Sequence, residues 1–190
     1  FHNSAGVHYL LSDIIGFTDL HKGDNRLITA VNADVNTISY QVGIRALGII
    51  SHLITTPLWR IIAKENHVSE VSQLYQHLVD KFEKWSDDAT PLLKGDDLLF
   101  PDVTNMESPI LEKLLASDEQ DSTTKQVLEL IISSFLIVCQ RQLKDHLDGG
   151  QHNLQWSDEK LSETKSVPNT NIGPERAFSS LDHLMKIMPS

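Results

Sequence analysis

Between Asn25 and Asn66 the apolar residues Leu27, Ile28, Val31, Val35, Ile38, Val42, Leu47, Ile50, Leu53 and Ile54 recur at helical spacing. A stretch this long and this apolar on one face cannot stand alone in water, so other helices must cover it. Pro57 falls inside the pattern. Proline lacks the amide donor and its ring crowds the preceding turn, so the spacing predicts a break there, with Pro57 opening a new helix after a Thr55 or Thr56 cap. The constraint is thus an all-helical core built around this segment.

The flanking sequence agrees. Val7, Leu10, Leu11, Ile14 and Ile15 predict a first helix ending near Leu20, where His21 to Asp24, with Gly23, supplies a stop and a fresh cap. Val71, Leu74, Leu78, Phe82 and Trp85 form one stripe behind a Ser69 cap. A brief helix is expected from Pro109 to Ala116, after a short extended piece at "LLFPDV". The run "VLELIISSFLIVC" marks the centre of the strongest helix, about Ser122 to Leu147, whose apolar face is wide enough to require cover on nearly all sides. At 13 residues, with Glu129, Ser133 and Ser134 inside it, the run is shorter than the roughly 20 apolar residues of a membrane span, so no membrane segment is expected. Gly149-Gly150 ends that helix, and a polar, turn-rich stretch follows with one turn of helix at Ser157 to Thr164. Convincing strands and a repeat period are not seen.

Charge is distributed unevenly. The formal net charge is −10, yet Asp87 to Asp121 holds ten acids against two lysines and leaves only −2 for the rest. That stretch reads as a solvated connection. The overall sign argues against a nucleic-acid partner, and its confinement to one region weakens the objection. Cys139, the single cysteine, has no partner for an internal disulfide and suits a buried position in an intracellular protein.

Site signatures are few. Neither GxGxxG nor GxxxxGK[ST] occurs, and there is no nucleophile elbow. Asp145, His146, Asp148 and His152 are the densest metal-type group, but their spacing does not deliver a tetrahedral ligand set, and a histidine at a helix C-terminus is favoured by the macrodipole. His52, His67, His77 and His183 are read as helix-surface residues. Trp59 has an aromatic face that can stack on an unpaired base; Leu58, Ile61 and Ile62 beside it favour core packing.

In "TNIGPERAFSSLDHLM", Gly173 or Asn171 can cap a helix, Pro174 suits its first position, and Glu175 is stabilised at its positive end. Phe178, Leu181, Leu184, Met185 and Met188 make one apolar face, a candidate dimer interface.

The segment "PERAFSSLDHLM" resembles the Ser-Glu-Arg-x-Phe-Ser signature near the C-terminus of hAT-superfamily transposases, and "RALGIISHLITTPLW", "WSDDATPLLKGDDLLFPDV" and "LELIISSFLIVCQRQLKDHL" are similar in general character. The resemblance implies an RNase-H-like α/β core interrupted by a helical insertion. Residues 1–156, including the acidic 87–121 stretch, would be that insertion, and 157–190 the return into the core with the motif helix. It implies that Glu175 is the third carboxylate of a DDE set holding two Mg²⁺ or Mn²⁺ ions, that Arg176 contacts DNA phosphate, and that the intact protein is nuclear and oligomeric. Pro174 stands where the signature has serine. No strand-borne aspartate pair is found in the chain, since Asp34 lies in a helical pattern, so these residues alone are expected to be an inactive fragment. The other reading is a non-catalytic helical dimerisation or protein-interaction module.

Overall fold

The computed structural model describes residues 2–23, 25–63, 71–153 and 157–163. The fold is all-α, with ten α-helices and no strand among the described residues. In order they are α1 (His2–Tyr9), α2 (Leu11–His21), α3 (Arg26–Val35), α4 (Ile38–Ile50), α5 (Thr56–Ile62), α6 (Val71–Asp87), α7 (Thr90–Lys94), α8 (Pro109–Leu115), α9 (Asp121–Gln142) and α10 (Asp158–Glu163). A π-helical turn (Ser51–Thr55) joins α4 to α5, and a 3-10 turn (Pro101–Val103) precedes α8.

The α4–α5 rod is the centre. Val42, Ala46, Ile49, Ile50, Leu53 and Ile54 are buried along it, and α1, α8 and α9 pack around it. Pro57 does not break this rod. The helix widens ahead of it, so that the Thr56 amide bonds the Ser51 carbonyl, and the wider turn makes room for the buried ring. The break falls earlier, at Asn36-Thr37, where the Thr37 hydroxyl bonds back to the Ala33 carbonyl at 2.8 Å. That competition by short polar side chains ends α3 within the apolar pattern.

The first helix is likewise two segments, α1 and α2, divided at Leu10. Asn25 caps α3, its carboxamide oxygen accepting from the Leu27 and Ile28 amides at 2.7 and 3.1 Å, while Gly23 at φ 103° makes the turn. Gly48 permits the α1 crossing: a Cβ there would lie 3.1 Å from the Ala5 Cα and 2.7 Å from Leu114 Cδ2. Helix α6 follows its predicted stripe, with Leu78, Phe82 and Trp85 buried against α9 and Phe135. Ser69, its expected cap, lies outside the described residues.

Two further expectations are corrected. Residues 87–121 are not simply a solvated connection, because Leu92, Leu93, Leu99, Leu111 and Leu114 from this stretch are buried in the main core. Its acids face outward, except that Asp97 and Asp121 are partly covered, and these two pair with Lys81 and Arg45. Helix α9 ends at Gln142 and is covered on one side only. Thr124, Leu128 and Ile132 are buried, whereas Leu130, Ile137 and Val138 are exposed. Ile38–Ile62 and Asp121–Gln142 are long and apolar enough to cross a membrane by length and composition. The first of these is the buried rod. The second carries Lys125, Glu129 and Arg141 and packs along α6.

Candidate functional site

Glu175, Arg176, Phe178, Leu181 and Met185 lie outside the described residues, as do His67 and His183. Trp59 is described, and its side of α5 faces solvent: the residue is 59% exposed. The core-packing role expected for it belongs to its neighbour Leu58, which packs against the main cluster. One residue on, at about 100° around a helix, points away from the same surface. Exposed Arg60 donates from Nη1 to the Val103 carbonyl at 2.7 Å and ties the end of α5 to the 3-10 turn. An open depression of about 610 Å³ results, lined by Arg60, Ala63, Asp102, Val103, Thr104 and Asn105. Trp59 does not line this depression, and the Asp102 carboxylate and the carbonyl-bonded Arg60 give it, among the described residues, no cation free for a phosphate.

The Asp145–His152 group does something other than cap a helix. Because α9 stops at Gln142, residues 143–153 form successive turns that fold back over the start of α6. Ser72 Oγ lies 3.3 Å from His146 Nδ1, the His146 ring meets Tyr75 edge-on at 5.4 Å, and the His146 and His152 rings are 5.1 Å apart. The His152 amide donates to the Asp145 carbonyl at 2.7 Å. These contacts fasten the loop. Among the described residues no group of three or more His, Cys, Asp or Glu is disposed to hold a metal ion. Two histidines read as surface residues also prove to be fasteners: His77 Nε2 sits 2.9 Å from the Leu99 carbonyl, and His52 Nδ1 3.2 Å from that of Gly48.

Sequence reasoning missed the buried cation. Arg45 is 3% exposed on the central rod, with Nε donating to the Leu114 carbonyl (2.9 Å), Nη2 to that of Ala116 (2.7 Å) and Nη1 to Asp121 Oδ1 (2.7 Å). It thus satisfies two carbonyls at the C-terminus of α8 and the carboxylate that begins α9. The signal was visible as a lone charge inside "QVGIRALGII". Burial raises the Asp121 carboxyl, but the Arg45 and Ser117 hydrogen bonds outweigh it and hold the group below its ordinary range. Beside this centre His8 is buried on α1, with Nδ1 unpartnered among the described residues. Burial, then the Arg45 charge, lowers the His8 pKa, against a backbone hydrogen bond to Lys113.

A second ionic cluster lies at the start of α7. Asp88 accepts from the Thr90 hydroxyl at 2.6 Å and pairs with Lys125, which also reaches Glu129. The Thr90 bonds and then Lys125 bring Asp88 down to about 2. Cys139 is half-buried, and burial raises its thiol pKa, the opposite of nucleophile activation.

No family model, curated protein or solved structure matches this chain.

Proposed function

We propose that the chain is part of a hAT-like DNA transposase, its described residues up to Asn153 corresponding to the helical insertion and Glu175 to the third catalytic carboxylate. The observation that carries this reading is the Pro174–Ser179 motif "PERAFS" following a long, mainly helical region. In the intact protein two divalent ions, Mg²⁺ or Mn²⁺, would activate a hydroxyl and stabilise the leaving oxygen. Glu175 would supply one hard oxygen ligand, with its partners from outside the chain, and Arg176 would hold a phosphate. Trp59, on the solvent side of α5, would stack on an unpaired base, with its DNA target placing the protein in the nucleus. Its exposure supports that role, since it is not committed to the core.

The test is strand cleavage by the intact protein in Mg²⁺. Glu175→Gln should abolish cleavage while leaving DNA binding intact, and Trp59→Ala should weaken single-strand binding by about 1–3 kcal/mol. Cleavage that survives Glu175→Gln would overturn the proposal. A second reading, a non-catalytic interaction module, is favoured by the exposed apolar residues on α2, α3 and α9. On that reading Phe178→Ala abolishes association and Glu175→Gln has no effect.

A further inference from the structure

Helix α1 is held to the rod by little apolar surface. Of Asn3–Tyr9 only Ala5 and His8 are buried, while Val7 is half-buried and Tyr9 exposed. Three residues apart, Ala5 and His8 share one face of the helix, and α1 packs on α4, α8 and the π turn. Ala5 is seated at Gly48, where the two backbones approach closely: a Cβ on Gly48 would lie 3.1 Å from the Ala5 Cα. The alanine methyl is small, which leaves His8 as the largest buried side chain between Asn3 and Tyr9. A helix of eight residues has no stability of its own in water, so the place of α1 depends on these two contacts.

The seat of His8 suits a neutral ring and not a charged one. Arg45 from α4, Lys113 from α8 and Asp118 from the link after α8 act on it, two cations against one acid. Arg45 is itself 3% exposed, and its Nη1 is already committed to Asp121 at 2.7 Å. A backbone hydrogen bond joins the His8 ring to Lys113, whereas Nδ1 has no partner among the described residues. A second ring proton would therefore add a buried N–H without a described acceptor and a positive charge beside a buried guanidinium. An imidazolium that leaves the rod regains water instead. Burial first, and then the Arg45 charge, hold the His8 pKa below its ordinary value. The other elements that touch α1 carry His52 on the π turn and Asp13, Asp19 and His21 on α2. Carboxylic acids change charge in a more acid range than imidazoles, so the histidines are the groups to be told apart.

We propose that His8 makes α1 an acid-released latch: at neutral pH the uncharged ring closes α1 over Gly48 and Leu114, and in mildly acid solution protonation frees α1 while the rest of the helical body stays folded. The packing of α9 on α6 and on α4 involves no residue of α1, so it survives the release. Because the closed form binds the proton more weakly than the open one, opening grows as pH falls from 6.5, by up to about tenfold per unit, and levels off below the lowered value. The device requires neither reading of the function.

Amide hydrogen exchange of the full chain, read residue by residue by NMR from roughly pH 7.5 to pH 5 and corrected for the intrinsic rate, tests it. Protection at α1, including the Leu10 amide that donates to the Gly6 carbonyl, should fall by at least about threefold and at most about thirtyfold, in step with the titration of the His8 ring. Protection at Leu78 on α6 and Ile132 on α9 should hold. His8→Leu and His8→Gln, which fill the seat without a titrating group, should abolish the fall, and His52→Gln should leave it in place. Where a variant fails to fold, the match between ring titration and exchange in the wild type decides. A smaller fall at α1 overturns the proposal. So does a fall shared by α6 and α9, one that persists in His8→Leu or His8→Gln, or one that does not follow the His8 ring.

Discussion

Replacing Arg45 with methionine tests how the two halves of the helical body are joined. The side chain is similar in length and its apolar stem is kept, so the change removes mainly the guanidinium. Three hydrogen bonds go with it, at 2.9, 2.7 and 2.7 Å, to the Leu114 and Ala116 carbonyls and to Asp121. Bonds of this kind to a charged group are worth about 1.5–3 kcal/mol each. The Asp121 term must be discounted, because its side chain is 36% exposed and water can replace the cation. The two carbonyls terminate α8, whose Leu111 and Leu114 are core residues, so their loss is felt where α8 meets the rod. The sum is a loss of about 3–5 kcal/mol, a substantial part of the stability of a domain of this size. Urea unfolding followed by circular dichroism measures it, and thermal unfolding should show a fall on the order of 10 °C. Asp121→Asn should cost no more than about 1 kcal/mol, since an oxygen acceptor remains. An Arg45→Met protein within about 1 kcal/mol of wild type, or an Asp121→Asn protein as damaged as Arg45→Met, would refute the reasoning.

Two further outcomes follow from the same region. His8 has a folded-state pKa below its ordinary 6.5, so the unfolded chain takes up its proton first as pH falls. The His8 contribution is complete above pH 6.5 and is lost as pH falls toward the lowered value; urea unfolding at a series of pH values should show that slope in the wild type and not in His8→Leu. Gly95 ends α7 at φ 73°, and an added Cβ would meet Leu115 Cδ1 at 2.7 Å, so Gly95→Ala should destabilise by about 1–3 kcal/mol in the same assay.

The helical body was legible because it rests on periodicity. The Val71–Trp85 stripe, the short Pro109 helix and the turn of helix after Ser157 appear where spacing places them. What spacing misjudged has physical causes. Pro57 is absorbed by a π turn, a device that leaves no composition signal. The leucines of 92–114 were masked by the acids around them, although a segment can be charged outside and apolar inside. The apolarity of α9 predicts burial on nearly all sides, yet Leu130, Ile137 and Val138 face solvent. Trp59 neighbours Leu58 in sequence, but the helical step of about 100° turns its ring to solvent, and the seven residues of α5 are too few for spacing to say which side faces inward. The candidate catalytic stretch depends on a motif, and its residues lie outside those described.

The transposase reading makes its most direct commitment about coding sequence on the N-terminal side of Phe1. Sequencing the transcript there should reveal two aspartates on short strand-type runs, the second followed by a Cys/His-containing stretch, which would make Glu175 the third member of a metal-binding triad. A transcript in which no such aspartates precede Phe1 would contradict the account and leave Glu175 without a metal-binding role.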